Sequence, residues 1–144
     1  MLQNLATGSA LVAFTVLVHT AGLILIAAIT PPVARWFGFH NHGVGRTLVM
    51  TGTVLGLLST LTTEVWGWAL VYATLGVTRD FADALFLSTA MFSTIGYGEV
   101  SINPAWRMLT ALEGINGFLM IGWSTAYLVA AATRHGPFRH GEHF

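Results

Sequence analysis

Three stretches of the chain are long and apolar enough to cross a bilayer, and a fourth, lying between them, is not. Residues 8–30, 47–75 and 108–132 are apolar runs of 23, 29 and 25 residues, against the about 20 residues that a helical span needs. Residues 81–92 are equally apolar, yet 12 residues reach only about 18 Å at helical rise. A segment of that length has to enter the membrane and turn back, and re-entrant backbone is tolerated only where protein buries it or water bathes it. The expected fold is therefore all-α and membrane-embedded, with three transmembrane helices and one re-entrant helix. Composition agrees, since 54% of the 144 residues are hydrophobic and 8% are charged. Little is left from which to build a separate soluble domain.

The boundaries follow from proline, glycine and the interfacial residues. Pro31-Pro32 is expected to stop the first helix, because proline donates nothing to the helical ladder and restricts the residue before it. Residues 31–46 then read as a short interfacial loop, carrying Arg35, Arg46, His40, His42, Trp36, Phe37 and Phe39, a basic and aromatic mixture suited to the headgroup region. A cleaved signal peptide would want a basic start and a shorter apolar core, and the first run has neither. In the second run, Trp66, Trp68 and Tyr72 read as markers of the far interface, and Gly52 with Gly56 as a helix-packing G-x-x-x-G. Residues 76–79 read as a turn, with Thr78 or Asp80 capping the short helix and Asp83 at the positive end of its dipole. Asn103-Pro104 closes the return loop, and Trp106-Arg107 anchors the last helix at an interface.

Ionisable groups at membrane depth need partners. Counted from one side at helical rise, His19 lies about 16 Å in, Glu64 about 18 Å and Glu113 about 12 Å. His19 and Glu64 are expected to meet, or else Glu64 and Glu113 to share a polar cluster with Asn116 and His19 beside the short helix. Net charge is zero and the basic residues are six scattered arginines, which leaves no nucleic-acid footprint. Cysteine is absent, so disulfides and thiolate metal sites are excluded.

Between the short helix and the last span stands Ser93-Thr94-Ile95-Gly96-Tyr97-Gly98-Glu99. Two glycines flanking a tyrosine allow an extended segment whose carbonyls all turn to one side, and such carbonyls replace a cation's hydration shell when several copies face one axis. In that position the segment resembles the selectivity filter of the potassium channel superfamily. The resemblance covers residues 47–133, with an outer helix at 47–75, a pore helix at 80–92, the filter at 94–98 and an inner helix at 106–132. Residues 1–46, an N-terminal helix with its loop, lie outside it, and 134–144 read as a short cytoplasmic tail.

The resemblance implies a homotetramer in the lipid bilayer that conducts potassium passively. The ions would bind the carbonyls of Thr94, Ile95, Gly96 and Tyr97, with Gly98 completing the filter, Glu99 at the outer mouth and the Thr94 hydroxyl at the inner entrance. Potassium is then the permeant ligand, no cofactor is required, and no catalysis is implied. Gly117 is the glycine nearest to where inner helices of the family hinge, although Gly114, Gly117 and Gly122 can equally serve close packing. The family usually has Asp after the second filter glycine, where Glu99 stands here. Many relatives carry an acid four residues before the filter threonine, and here Ala90 holds that place, so that Glu113 from the inner helix is a candidate for the supporting role. Phe86 and Leu87 stand where many relatives have a tryptophan pair.

An outward-facing filter puts Arg35, Arg46, Arg134 and Arg139 inside and only Arg79 and Arg107 outside, as the positive-inside rule asks. That orientation, in a cell inner membrane, has the N-terminus outside and the C-terminus in the cytoplasm, and it gathers Asp80, Asp83 and Glu99 at the outer mouth, where carboxylates concentrate cations. No helix carries arginine at every third position, so no voltage sensor is expected. His40, His42, His135, His140 and His143 change charge near neutral pH and lie on the expected inner side. Two other readings stay open at this stage. One is a weakly selective cation channel or a non-conducting pore-like subunit; the other is a membrane metal-binding protein using those histidines and Glu142, though their spacing matches no closed tetrahedral site.

Overall fold

The computed structural model describes residues 1–36, 43–96, 98 and 100–135. Four helices follow one another: α1 (Leu2–Trp36), α2 (Gly43–Leu75), α3 (Phe81–Phe92) and α4 (Arg107–His135), with a 3₁₀ turn at Pro104–Trp106 leading into α4. No strand occurs among the described residues. Three of the helices, Leu2–Trp36, Val44–Leu75 and Pro104–Arg134, are long and apolar enough to cross a membrane, and α3 is a shorter apolar helix packed against both α2 and α4.

The apolar character of α1 runs all round, yet apart from Ala34 near its end its buried residues form one stripe: Asn4, Gly8, Leu11, Thr15, His19 and Leu23. Steps of three and four place them on a single helical face, and that face lies on α2 and α4. The matching stripe of α2 is Thr53, Leu57, Thr60, Glu64, Trp68 and Tyr72. A core of Leu11, Trp68, Tyr72, Leu87, Phe92, Leu109 and Met120 joins all four helices.

Four boundaries or placements differ from the expectations. α1 does not stop at Pro31-Pro32 but carries both prolines and continues to Trp36. Proline donates nothing to the carbonyls four residues back, here Ala27 and Ala28, a loss that helices in apolar surroundings tolerate. The interfacial loop expected at 31–46 shrinks accordingly, since α2 begins at Gly43; Phe37, Phe39, His40 and His42 lie outside the described residues. α4 starts at Arg107 and extends to His135. Trp68 and Tyr72, read as interfacial, are fully buried, and of the three aromatics only Trp66 is exposed. The physical reason is register: 64, 68 and 72 step by four and share the face that buries Glu64.

Two of the chain's turns use the same hydrogen bonds. At the end of α2 the Gly76 N–H reaches the Ala73 carbonyl (3.4 Å) and the Val77 N–H the Tyr72 carbonyl (3.0 Å). This is a Schellman cap, with Gly76 at φ 64° in the left-handed region that glycine occupies without penalty. The Asn103 N–H then bonds the Val77 carbonyl at 3.0 Å, tying the return loop to this turn. Asp80 caps α3, its side chain accepting from the Asp83 N–H at 2.8 Å. α4 is capped from a distance: Asn4 of α1 accepts from the Leu109 N–H (3.2 Å) and donates to the Ala105 carbonyl (2.9 Å).

Candidate ion pathway and buried polar groups

At the end of α3 the Schellman cap recurs with a different residue. The Thr94 N–H bonds the Met91 carbonyl, and the Ile95 and Gly96 N–H groups both bond the Ala90 carbonyl, each at 3.0 Å. Thr94 occupies the left-handed position at φ 61° and Gly96 follows at φ 65°. A β-branched residue there is a genuine outlier, costing about 1–2 kcal/mol. The expectation of an extended segment at 94–98 is corrected on this point: the described part begins with a left-handed turn, because its amides fold back to satisfy the last carbonyls of α3.

That turn has a consequence for the carbonyls. All peptide bonds here are trans, and a trans peptide holds C=O opposite to N–H. With the amides of Thr94, Ile95 and Gly96 directed at α3, the carbonyls of Ser93, Thr94 and Ile95 face away from it. Thr94, Ile95, Gly96 and Gly98 are all exposed, in a segment flanked by the buried Phe92 on one side and by the partly buried Val100 and Ile102 on the other. Tyr97 and Glu99 lie outside the described residues.

Behind this segment α3 is pinned to α2 and α4. Glu113 of α4 is fully buried and accepts from the Ser88 hydroxyl of α3 at 2.5 Å and from the Tyr72 hydroxyl of α2. Ser88 also lies 2.9 Å from the Val65 carbonyl. One carboxylate thus links three helices. Below it, Gly117 lets α4 touch the main chain of α3: a Cβ at that position would overlap the carbonyl, Cα and carbonyl carbon of Phe92, and one at Gly114 would stand 3.5 Å from the Met91 carbonyl. A Cβ at Gly122 would meet nothing within 4 Å. The observation gives Gly117 a packing role.

His19 and Glu64 come together as a separate pair, Nδ1 to Oε1 at 2.8 Å, with neither side chain exposed. No hydrogen bond joins Glu64 to Glu113 among the described residues, and the amide of buried Asn116 has no partner among them. The polar residues at membrane depth thus form two hydrogen-bonded groups rather than one. Reasoning from sequence missed Tyr72, and also Thr15, whose hydroxyl accepts from the Trp68 indole at 3.0 Å. The four-residue step from Glu64 through Trp68 to Tyr72 was the available signal. Ala90 and Leu87 are buried, while Phe86 is exposed. No group of three metal-ligating side chains occurs among the described residues; His40, His42, His140, Glu142 and His143 lie outside them.

No curated protein and no solved structure matches the chain. A family profile described as ion channel does match, over residues 58–134, which is more than half of the chain and takes in most of α2, all of α3, the 94–98 segment and nearly all of α4. That family is a channel family and not an enzyme family. The chain belongs to the ion channel family, within the potassium channel pore-domain superfamily.

Proposed function

We propose that the protein is a potassium-selective channel in which four copies of the chain surround one axis. The conducting path runs past the carbonyls of Thr94, Ile95, Gly96 and Tyr97, and α3 is the re-entrant pore helix that supports them. The observation that carries the reading is the turn after α3. Three successive amides are satisfied by Ala90 and Met91, so the opposed carbonyls of Ser93, Thr94 and Ile95 face away from α3, and a partly dehydrated cation is the ligand that a row of carbonyls suits. The negative end of the α3 dipole adds to the attraction.

In this arrangement the Thr94 hydroxyl lies at the inner entrance, Gly98 ends the filter, Glu99 rings the outer mouth, and α4 lines the inner vestibule. The filter faces outward in a cell inner membrane, with the N-terminus outside and the C-terminus cytoplasmic. α1 packs at the periphery against lipid. No cofactor takes part, and potassium is the permeant ligand. Flux from liposomes containing the purified chain tests the proposal: potassium efflux well above sodium efflux is expected, and equal fluxes or none would refute it. Glu113→Gln, which keeps the shape but replaces one of the two acceptor oxygens by a donor, is expected to lower flux by weakening the link to Ser88 and Tyr72.

A further inference from the structure

The ion path proposed above makes no use of His19 and Glu64, and these two side chains are nonetheless the most deeply buried titratable pair contributed by α1 and α2. Their contact spans 2.8 Å with neither side chain exposed. The second nitrogen of His19, Nε2, and the second oxygen of Glu64, Oε2, have no hydrogen-bond partner among the described residues. Against the imidazole lies the indole of Trp123 from α4, with ring centroids 5.1 Å apart and planes at 40°.

The other titratable groups described on the packed helices make no hydrogen bond or ion pair with His19 or Glu64. On α1 there is Arg35, beyond both prolines near the helix end, and on α2 Arg46 near the start of the helix. Tyr72, two turns along α2, donates to Glu113, and Glu113 is further held by Ser88. On α4, Arg107 and Arg134 stand near the ends, and Tyr127 follows Trp123 by one turn. α3 brings Asp83 in its first turn. None of these groups forms an ion pair with Glu64, whose one charged or chargeable partner among the described residues is His19.

We propose that His19 and Glu64 together bind one exchangeable proton, and that Trp123 conveys the charge state of this site to α4. With the proton bound, the pair is neutral overall, either as imidazolium and carboxylate or as imidazole and carboxylic acid. In the first form both ring nitrogens carry a hydrogen, and the cation lies within the about 6 Å at which an aromatic ring attracts it. When the proton leaves for water, a single negative charge remains in an apolar interior with no cation to compensate it, which is the costly case. The attraction to Trp123 disappears with it. His19 precedes the family-matched region 58–134, whereas Glu64 and Trp123 fall inside it, so the site would let the N-terminal helix act on the helix proposed to line the pore.

The test is tryptophan emission of the full-length chain in liposomes, titrated from about pH 4 to about pH 9, a range that brackets ordinary carboxylate and imidazole titration. The wild type is compared with Trp123→Phe, His19→Gln and Glu64→Gln. A one-proton transition in the wild type, lost in all three variants, is expected. A flat wild-type profile overturns the proposal, as does a transition that persists in His19→Gln or in Trp123→Phe. If a variant fails to fold, nitrogen-15 spectra of the histidine-labelled wild type answer the same question. The ring nitrogens of the imidazole most protected from solvent exchange should shift with pH in a single transition, by loss of a proton or by exchange of tautomer, and constant shifts across the range would refute the site. Neither readout depends on conduction, so a failure of the channel reading leaves this test intact.

Discussion

The C-termini of α2 and α3 are closed by the same pair of hydrogen bonds, yet they differ in the residue that takes the left-handed position and in what stands behind it. At α2 that residue is Gly76, with open space where a Cβ would be; the turn costs little and needs no outside support. At α3 it is Thr94, and the about 1–2 kcal/mol of strain that a β-branched residue carries there has to be held by surrounding structure. That support is visible in Glu113 reaching Ser88 and in the backbone contact of Gly117 with Phe92. The first turn is a connector, while the second keeps a strained conformation whose carbonyls point outward, and strain of this kind collects at functional sites.

Removing the support is expected to have the largest effect. Glu113→Ala orphans the buried Tyr72 hydroxyl, at about 1–3 kcal/mol, leaves Ser88 with the Val65 carbonyl alone and opens a cavity where the side chain stood, and should lower stability by about 2–5 kcal/mol in denaturant or thermal unfolding of the solubilised protein. If the loss stays under about 1 kcal/mol, close to the average for a polar contact between membrane helices, the two ends do not differ in the way described. Gly117→Ala comes next, because its methyl group has to push α4 off the Phe92 carbonyl; overpacking of this kind costs about 1–3 kcal/mol. Gly122→Ala, with open space around it, is the control and should change stability by less than about 0.5 kcal/mol.

The sharpest contrast comes from exchanging residue types at the two caps. Thr94→Gly should raise stability by about 1 kcal/mol, since glycine takes the left-handed region freely, and should reduce potassium selectivity because the hydroxyl is lost. Gly76→Ala should lower stability by about 1 kcal/mol through backbone strain alone, with flux unchanged. A destabilised Thr94→Gly variant would mean that the threonine side chain holds the turn rather than straining it.

How far the sequence disclosed this arrangement depended on which physical constraint was at stake. Spans and the short helix were legible because a bilayer imposes length and apolarity directly. The meeting of His19 with Glu64 was legible because an ionisable group at that depth has to find a partner at the same depth. Thr94 in the left-handed region was not, because Thr94-Ile95-Gly96 suits an extended strand and the turn arises only from the unfilled carbonyls at the end of α3. Pro31-Pro32 misled because the rule that proline ends a helix is weakened in apolar surroundings. Tyr72 was hidden by the habit of placing aromatic residues at interfaces, although its register with Glu64 already set it inside. Asn4 could not be foreseen, since its partners lie more than one hundred residues away.

On the proposed function, the outward-turned carbonyls after α3 select potassium. The most direct measurement is the reversal potential of current through the purified chain in a planar bilayer, with potassium on one side and sodium on the other. A reversal potential that follows the potassium gradient and is indifferent to sodium is expected. A reversal at zero voltage, with both ions carrying current equally, would contradict the proposed function.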